Sequence, residues 1–156
     1  MIDKETEIVL LNLAKIEKGL AKIYEYFSTI DHFPGPVKKF WSMMANEEMK
    51  HSDIFNNILS RAKKENDLLF KIKTDMEKLK SFVGNLNALL KDLKTRKISD
   101  IDAYSLGSRI EAELNEAVFL KNISTNDQLM IHDINKIDSD TKKHGMILIN
   151  YSKGYK

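Results

Sequence analysis

Apolar residues recur along this chain at intervals of three and four, the spacing that lines one face of an α-helix. From about Lys4 to Ser28 they fall at Leu10, Leu13, Ala14, Leu20, Ala21, Tyr24 and Phe27, which predicts a first helix. The segment Asp31-His32-Phe33-Pro34-Gly35-Pro36 holds both prolines and closes it. A second helix runs from about Pro36 to Lys64, with Phe40, Trp41, Met44, Phe55 and Ile58 inward. Between Asp67 and Lys94, Ile72, Met76, Leu79, Val83, Leu86, Leu90 and Leu93 step by four and three, a heptad seam on a third helix. Ser99, with Asp102 three residues on, is an N-cap for a fourth helix reaching about Asn122, with Tyr104, Gly107, Leu114 and Val118 on one side. Ser124-Thr125-Asn126-Asp127 reads as a turn and cap. A fifth helix covers about Gln128 to Tyr151, with Ile134, Ile137, Ile147 and Leu148 facing in, and the tail 152–156 frays.

Polar residues interrupt four of these stripes. Glu17 lies in the first, Glu48 and His51 in the second, Glu111 in the fourth, and Thr141 and His144 in the fifth. Glu48 and His51 are three apart and so share a helix face. A buried carboxylate without a partner costs more than one helix recovers, so a cation, a hydrogen-bond network or a metal ion must offset it. Two helices, a long middle segment and two more helices predict a single all-α domain over 1–156: a four-helix bundle with one long crossover, its extra helix over about 67–94. The heptad seam has two readings, packing on its own bundle or pairing with a second copy in a homodimer. The two halves echo each other weakly, Ile16-Glu17-Lys18-Gly19-Leu20 against Ile110-Glu111-Ala112-Glu113-Leu114.

Composition narrows the chemistry. The 25 basic and 23 acidic residues are interspersed and leave a formal charge of +2, which gives no reason for nucleic-acid or membrane binding. With no cysteine, the chain has no disulfide, thiolate metal site, cysteine nucleophile or rubredoxin-type iron centre of its own. The charged N-terminus lacks the apolar core of a signal peptide, and the expected location is cytoplasmic.

One Glu from each of two helices and Glu-x-x-His from each of the other two is the donor set of a dinuclear carboxylate site. Glu17, Glu48 with His51, Glu111 and His144 follow that order along the chain. On these residues, on Tyr24 seven positions after Glu17 followed by Tyr26 and Phe27, and on Ala45-Asn46-Glu47-Glu48-Met49-Lys50-His51, the sequence resembles the rubrerythrin branch of the ferritin-like superfamily. The resemblance covers residues 8–60 well and 100–150 loosely. It implies a ferritin-like bundle in which Glu17, Glu48, His51, Glu111 and His144 hold iron, with Glu48 bridging and Tyr24 as the candidate catalytic hydroxyl. It also implies reaction with peroxide or dioxygen, with electrons from a separate donor protein.

The departure from that pattern is Thr141, which stands three residues before His144 where a Glu is expected. Asp138 and Asp140 are the candidates to compensate, each one methylene shorter than Glu. Glu111 competes with Glu113 and Glu116, and His144 could instead be a histidine satisfied by Asp140 within its own helix. Two functions therefore stand: a di-iron oxidoreductase, or a bundle with a mononuclear or lost site that serves as a binding module. The same nitrogen and oxygen donors accept iron, manganese or zinc.

Overall fold

The computed structural model describes residues 2–117 and 119–154. Five helices form an all-α bundle: α1 Lys4–Ser28, α2 Gly35–Lys64, α3 Met76–Leu93, α4 Asp100–Glu116 and α5 Gln128–Ser152. Two three-residue strands, β1 Phe70–Ile72 and β2 Ile123–Thr125, pair antiparallel. Among the described residues no helix is long and apolar enough to cross a membrane.

Side-chain caps start four of the helices. Asp3 accepts from the backbone N–H of Thr6, Asp75 from Lys78, Ser99 from Asp102, and Asp127 from Leu129 and Met130. The remaining helix, α2, starts after Pro34 with Pro36 in its first turn, where a missing N–H costs nothing.

The bundle consists of two helical hairpins, α1–α2 and α4–α5, joined by the long crossover that carries α3. Ser52 donates to the carbonyl of Ala14 inside the first hairpin at 2.9 Å. Between the hairpins, α2 and α5 run antiparallel, because His51 meets Asp140 while Glu47 meets His144. Leu79, Leu86 and Leu93 of the heptad seam are buried, and α3 lies against α1. There Gly19 admits Leu86 so closely that a Cβ would sit 3.3 Å from its Cδ1. The seam is thus used within the chain.

Three boundaries differ from those expected. The third helix starts at Met76, and residues 70–72 form β1, because Phe70, Lys71 and Ile72 alternate buried, exposed, buried, a period of two. The fourth helix stops at Glu116, well before Asn122, and Ser124 and Thr125 belong to β2 rather than to a turn. Their partners decide this: Phe70 pairs with Thr125, Lys71 with Ser124 and Ile72 with Ile123. Ile147, expected inward, is partly exposed. Val118 lies outside the described residues, as do the last two residues of the tail.

At the far end from the strands, α4 presses Gly107 onto α2 and α5. A Cβ there would lie 3.0 Å from Cη2 of the sole tryptophan, Trp41, and 3.2 Å from Cδ1 of Leu148. Valine gains only a few tenths of a kcal/mol over glycine in helix propensity, so steric overlap decides the sign. We expect Gly107→Val to destabilise the protein by about 1–3 kcal/mol, read as a lower urea midpoint together with altered Trp41 emission. An unchanged midpoint would mean that the Trp41 ring shifts without cost.

Candidate metal centre

Glu17, Glu48, His51, Glu111 and His144 are all at least 95% buried, and the bundle brings them together at its centre. Each comes from the inner stripe of its helix: Glu17 from α1, Glu48 and His51 from α2, Glu111 from α4, His144 from α5. Glu113 and Glu116 are exposed, so α4 contributes Glu111 alone.

The donors form two groups that share Glu48. One ligand atom each from Glu17, Glu48 and His51 lie within 4.8 Å of one another, and so do atoms of Glu48, Glu111 and His144. Glu48 Oε2 is 3.0 Å from His51 Nδ1 and its Oε1 is 2.7 Å from His144 Nδ1. Glu17 Oε2 stands 3.8 Å from His51 Nδ1, and Glu111 Oε1 3.9 Å from His144 Nδ1. The two imidazole rings are 5.9 Å apart and nearly parallel.

The outer edge of each imidazole is held by another carboxylate. His51 Nε2 is 3.1 Å from Asp140 Oδ2, and His144 Nε2 is 2.6 Å from Glu47 Oε2. With Nε2–H donating outward, each Nδ1 faces the glutamates, which is how a metal-ligating histidine is oriented. Asp140 is fixed in turn by Lys136 at 2.5 Å. Glu47 was visible in the sequence only as the first of two adjacent glutamates. Neighbours on a helix point about 100° apart, so one can face the core while the other flanks it toward α5. Asp140 does not reach His144 within its own helix, as one reading of the sequence had it; it crosses to His51.

Neither aspartate stands in for a glutamate at position 141. Asp138 is half-exposed and paired with Lys142 at 2.7 Å, while Asp140 binds the far side of His51. Thr141 is buried, and its hydroxyl donates to the carbonyl of Ile137 at 3.0 Å. Three glutamates therefore face the centre among the described residues.

Tyr24 closes one side. Its hydroxyl donates to Glu111 Oε1 at 2.6 Å, and its ring packs 5.0 Å from that of Trp41. Burial and the neighbouring carboxylates hold the phenol well above its ordinary pKa, so it stays a donor.

The protonation pattern follows from crowding. Burial and the charge of Glu48 push Glu17 up to about 8, and the same two causes hold Glu111 well above the ordinary carboxylate range. Burial also opposes ionisation of Glu48, but His144 and His51 outweigh it and pull that carboxyl down to about 2. Burial disfavours charge on the rings too, yet Glu17 and Glu48 hold His51 up at about 11, and Glu48 above all holds His144 at about 9. These directions favour the charged form of Glu48 among the three carboxyls and the charged form of both imidazole rings.

That arrangement has the same net charge as two divalent cations bound by three ionised glutamates and two neutral imidazoles. Cations can replace protons there with no change in buried charge. The donor atoms fit such an exchange: Glu17 Oε2 and Glu111 Oε2 are buried without hydrogen-bond partners, and Glu48 Oε1 and His144 Nδ1 have only each other at 2.7 Å, an expense that coordination would offset. The buried Glu/His cluster can therefore hold a metal ion. Its nitrogen and oxygen donors suit iron, manganese or zinc alike.

Comparison of the chain with protein-family models, with curated proteins and with solved structures gives no match. The reading of this centre accordingly rests on its geometry.

Two outcomes follow for Zn2+ binding. Because the ion displaces protons from His51, His144, Glu17 and Glu111, apparent affinity rises with pH through the window below those raised pKa values, by about tenfold or more per unit from pH 6 to 8. Chelator competition across that range checks it, and a flat profile would contradict the exchange. Asp140→Asn, which removes the carboxylate behind His51, weakens Zn2+ by about 10–100-fold in the same assay.

Proposed function

We propose that the protein is a rubrerythrin-like, ferritin-like-superfamily oxidoreductase whose centre holds two iron ions and reduces peroxide, or oxidises ferrous iron with dioxygen. The observation that carries this reading is Glu48, whose two oxygens face the Nδ1 atoms of two histidines in two adjoining donor groups. A carboxylate shared in this way suits two cations at once. Glu17 with His51 would hold one and Glu111 with His144 the other.

Iron bound there would supply the redox chemistry by which peroxide, two protons and two electrons become two waters. The electrons come from a separate donor protein, since the chain has no cysteine for an iron–sulfur module of its own. The chain's own residues bind, orient and insulate. Asp140 and Glu47 fix the imidazole rings. Tyr24 holds Glu111 and presents a phenolic O–H beside the centre. Glu47, whose side chain is 42% exposed, links His144 Nε2 to solvent and is a route for protons. Met44 and Phe55, one turn before Glu48 and one turn after His51 on α2, are buried apolar neighbours of the centre.

Thr141 favours a second reading, a single metal in a bundle that serves as a binding module. Its hydroxyl is tied to Ile137, and three carboxylates bind a second cation less firmly than four.

Elemental analysis after anaerobic loading with ferrous iron separates the two. Two irons per chain, lost in Glu48→Ala, with peroxide consumed stoichiometrically by the reduced protein, is the expected result. One ion per chain would replace it with the mononuclear reading, and none in folded protein would sink the oxidoreductase and leave a bundle whose metal site is lost, serving as a binding module.

A further inference from the structure

A line of oxidisable rings leads away from the donor cluster. Tyr24, whose hydroxyl donates to Glu111 Oε1 at 2.6 Å, packs its ring 5.0 Å from that of Trp41. Trp41 stacks on Tyr104 at 5.3 Å with 24° between the planes, and Tyr104 stacks on Tyr151 at 5.0 Å and 20°. Tyr24, Trp41 and Tyr104 are buried and Tyr151 is half-buried, so the line starts at a metal donor and ends at the surface. Phe27 and Phe40 meet Trp41 edge-on. A benzyl ring is far harder to oxidise than a phenol or an indole, so these neighbours confine a hole to the line.

The middle ring of this line is unusual in its hydrogen bonding. A buried tryptophan ordinarily gives its indole N–H an acceptor, but Trp41 Nε1 is buried without a hydrogen-bond partner among the described residues. An oxidised indole that can hand its proton to a neighbour relaxes to a neutral radical and loses oxidising power. With no acceptor at Nε1, oxidised Trp41 keeps its proton and remains able to take an electron from the phenols stacked beyond it. Tyr151, in touch with solvent, can release its proton to water, which traps the hole there as a neutral tyrosyl radical. The downhill direction for a hole is therefore outward.

We propose that Trp41, Tyr104 and Tyr151, entered through Tyr24, form a redox relay that carries oxidising equivalents from the metal centre to the surface, where a small phenol reduces Tyr151. The inference rests on the two-iron reading above and gives it a second source of electrons besides a donor protein. At the surface the O–H bond of the phenol breaks, that of Tyr151 forms again, and the phenol leaves as a phenoxyl radical. The electron given up earlier by Tyr151 has moved inward through Tyr104, Trp41 and Tyr24, and its proton has gone to water. Two phenols thus supply the two electrons and two protons with which one peroxide becomes two waters.

The test uses the full chain in two states. In protein loaded with redox-inert Zn2+, a flash at the red edge of the indole absorption, with a soluble electron acceptor present, oxidises Trp41, the sole tryptophan. The expected result is decay of the indolyl absorption into that of a tyrosyl radical. Tyr104→Phe combined with Tyr151→Phe keeps both rings, removes both phenols and leaves the indolyl signal long-lived, whereas Tyr24→Phe retains the transfer. No tyrosyl signal in the native chain, an unchanged transfer in the double variant, or its loss in Tyr24→Phe overturns the relay. In reduced, iron-loaded protein, peroxide added without a donor gives a tyrosyl radical by electron paramagnetic resonance, and hydroquinone quenches it. The double variant takes up the same iron and loses the quenchable radical. Iron uptake with no radical, or with a radical that hydroquinone or the double variant leaves unchanged, overturns this inference and leaves the metal centre standing. Failure to take up iron overturns the proposed function, and this inference with it.

Discussion

Glu48 is at the point where the fold and its chemistry constrain each other. Three carboxyl groups and two imidazoles occupy the middle of a bundle whose surroundings are hydrocarbon and aromatic rings. Left ionised and unpaired, such groups would cost far more than the helices gain by packing. One carboxylate held between two imidazoles that favour their charged form, with ionisation of the other two carboxyls opposed by burial and by its charge, reduces that cost while leaving Glu17 Oε2 and Glu111 Oε2 unsatisfied. A core selected for stability alone would carry leucine or methionine at these positions. That five polar side chains from four helices converge here is the strongest physical argument that the centre can hold a metal ion.

The rest of the bundle reads as support for this arrangement. α1 and α2 bring Glu17, Glu48 and His51 from one hairpin; α4 and α5 bring Glu111 and His144 from the other. Neither hairpin carries both donor groups, so the site exists only where the two dock. The ring of Trp41 lies under Tyr24 and stacks on Tyr104, which stacks on Tyr151. This aromatic layer fixes the floor of the centre and accounts for the tight approach at Gly107.

Much of this was legible in the sequence because helical periodicity places a residue on a face regardless of its chemistry. Glu17 among Leu13, Ala14, Leu20 and Ala21 had to point inward, and it does. The same logic chose Glu111 over Glu113 and Glu116, although spacing alone left all three open; burial decided it. What periodicity could not supply was contact between elements distant in the chain. Asp140 crosses to α2 and Glu47 to α5, and no local pattern encodes either. The middle segment misled for a related reason. Ile72 and Met76 continue the heptad spacing of α3, yet residues 70–72 find a partner strand more than fifty positions later, and long-range pairing overrode the local signal.

That strand pair has a consequence for how the molecule is assembled. β1 lies just after the first hairpin and β2 inside the connection of the second, and Arg61 at the end of α2 also bonds Asp127 at the start of α5. The chain is thereby fastened at one end of the bundle by contacts that close a large loop, and loop closure of this kind is entropically slow to nucleate. The α1–α2 hairpin, with its short connection, can form first and already contains Glu17, Glu48 and His51. Half of the donor set is thus contained in one short-range hairpin, and Glu111 and His144 join it only through the docking of the second.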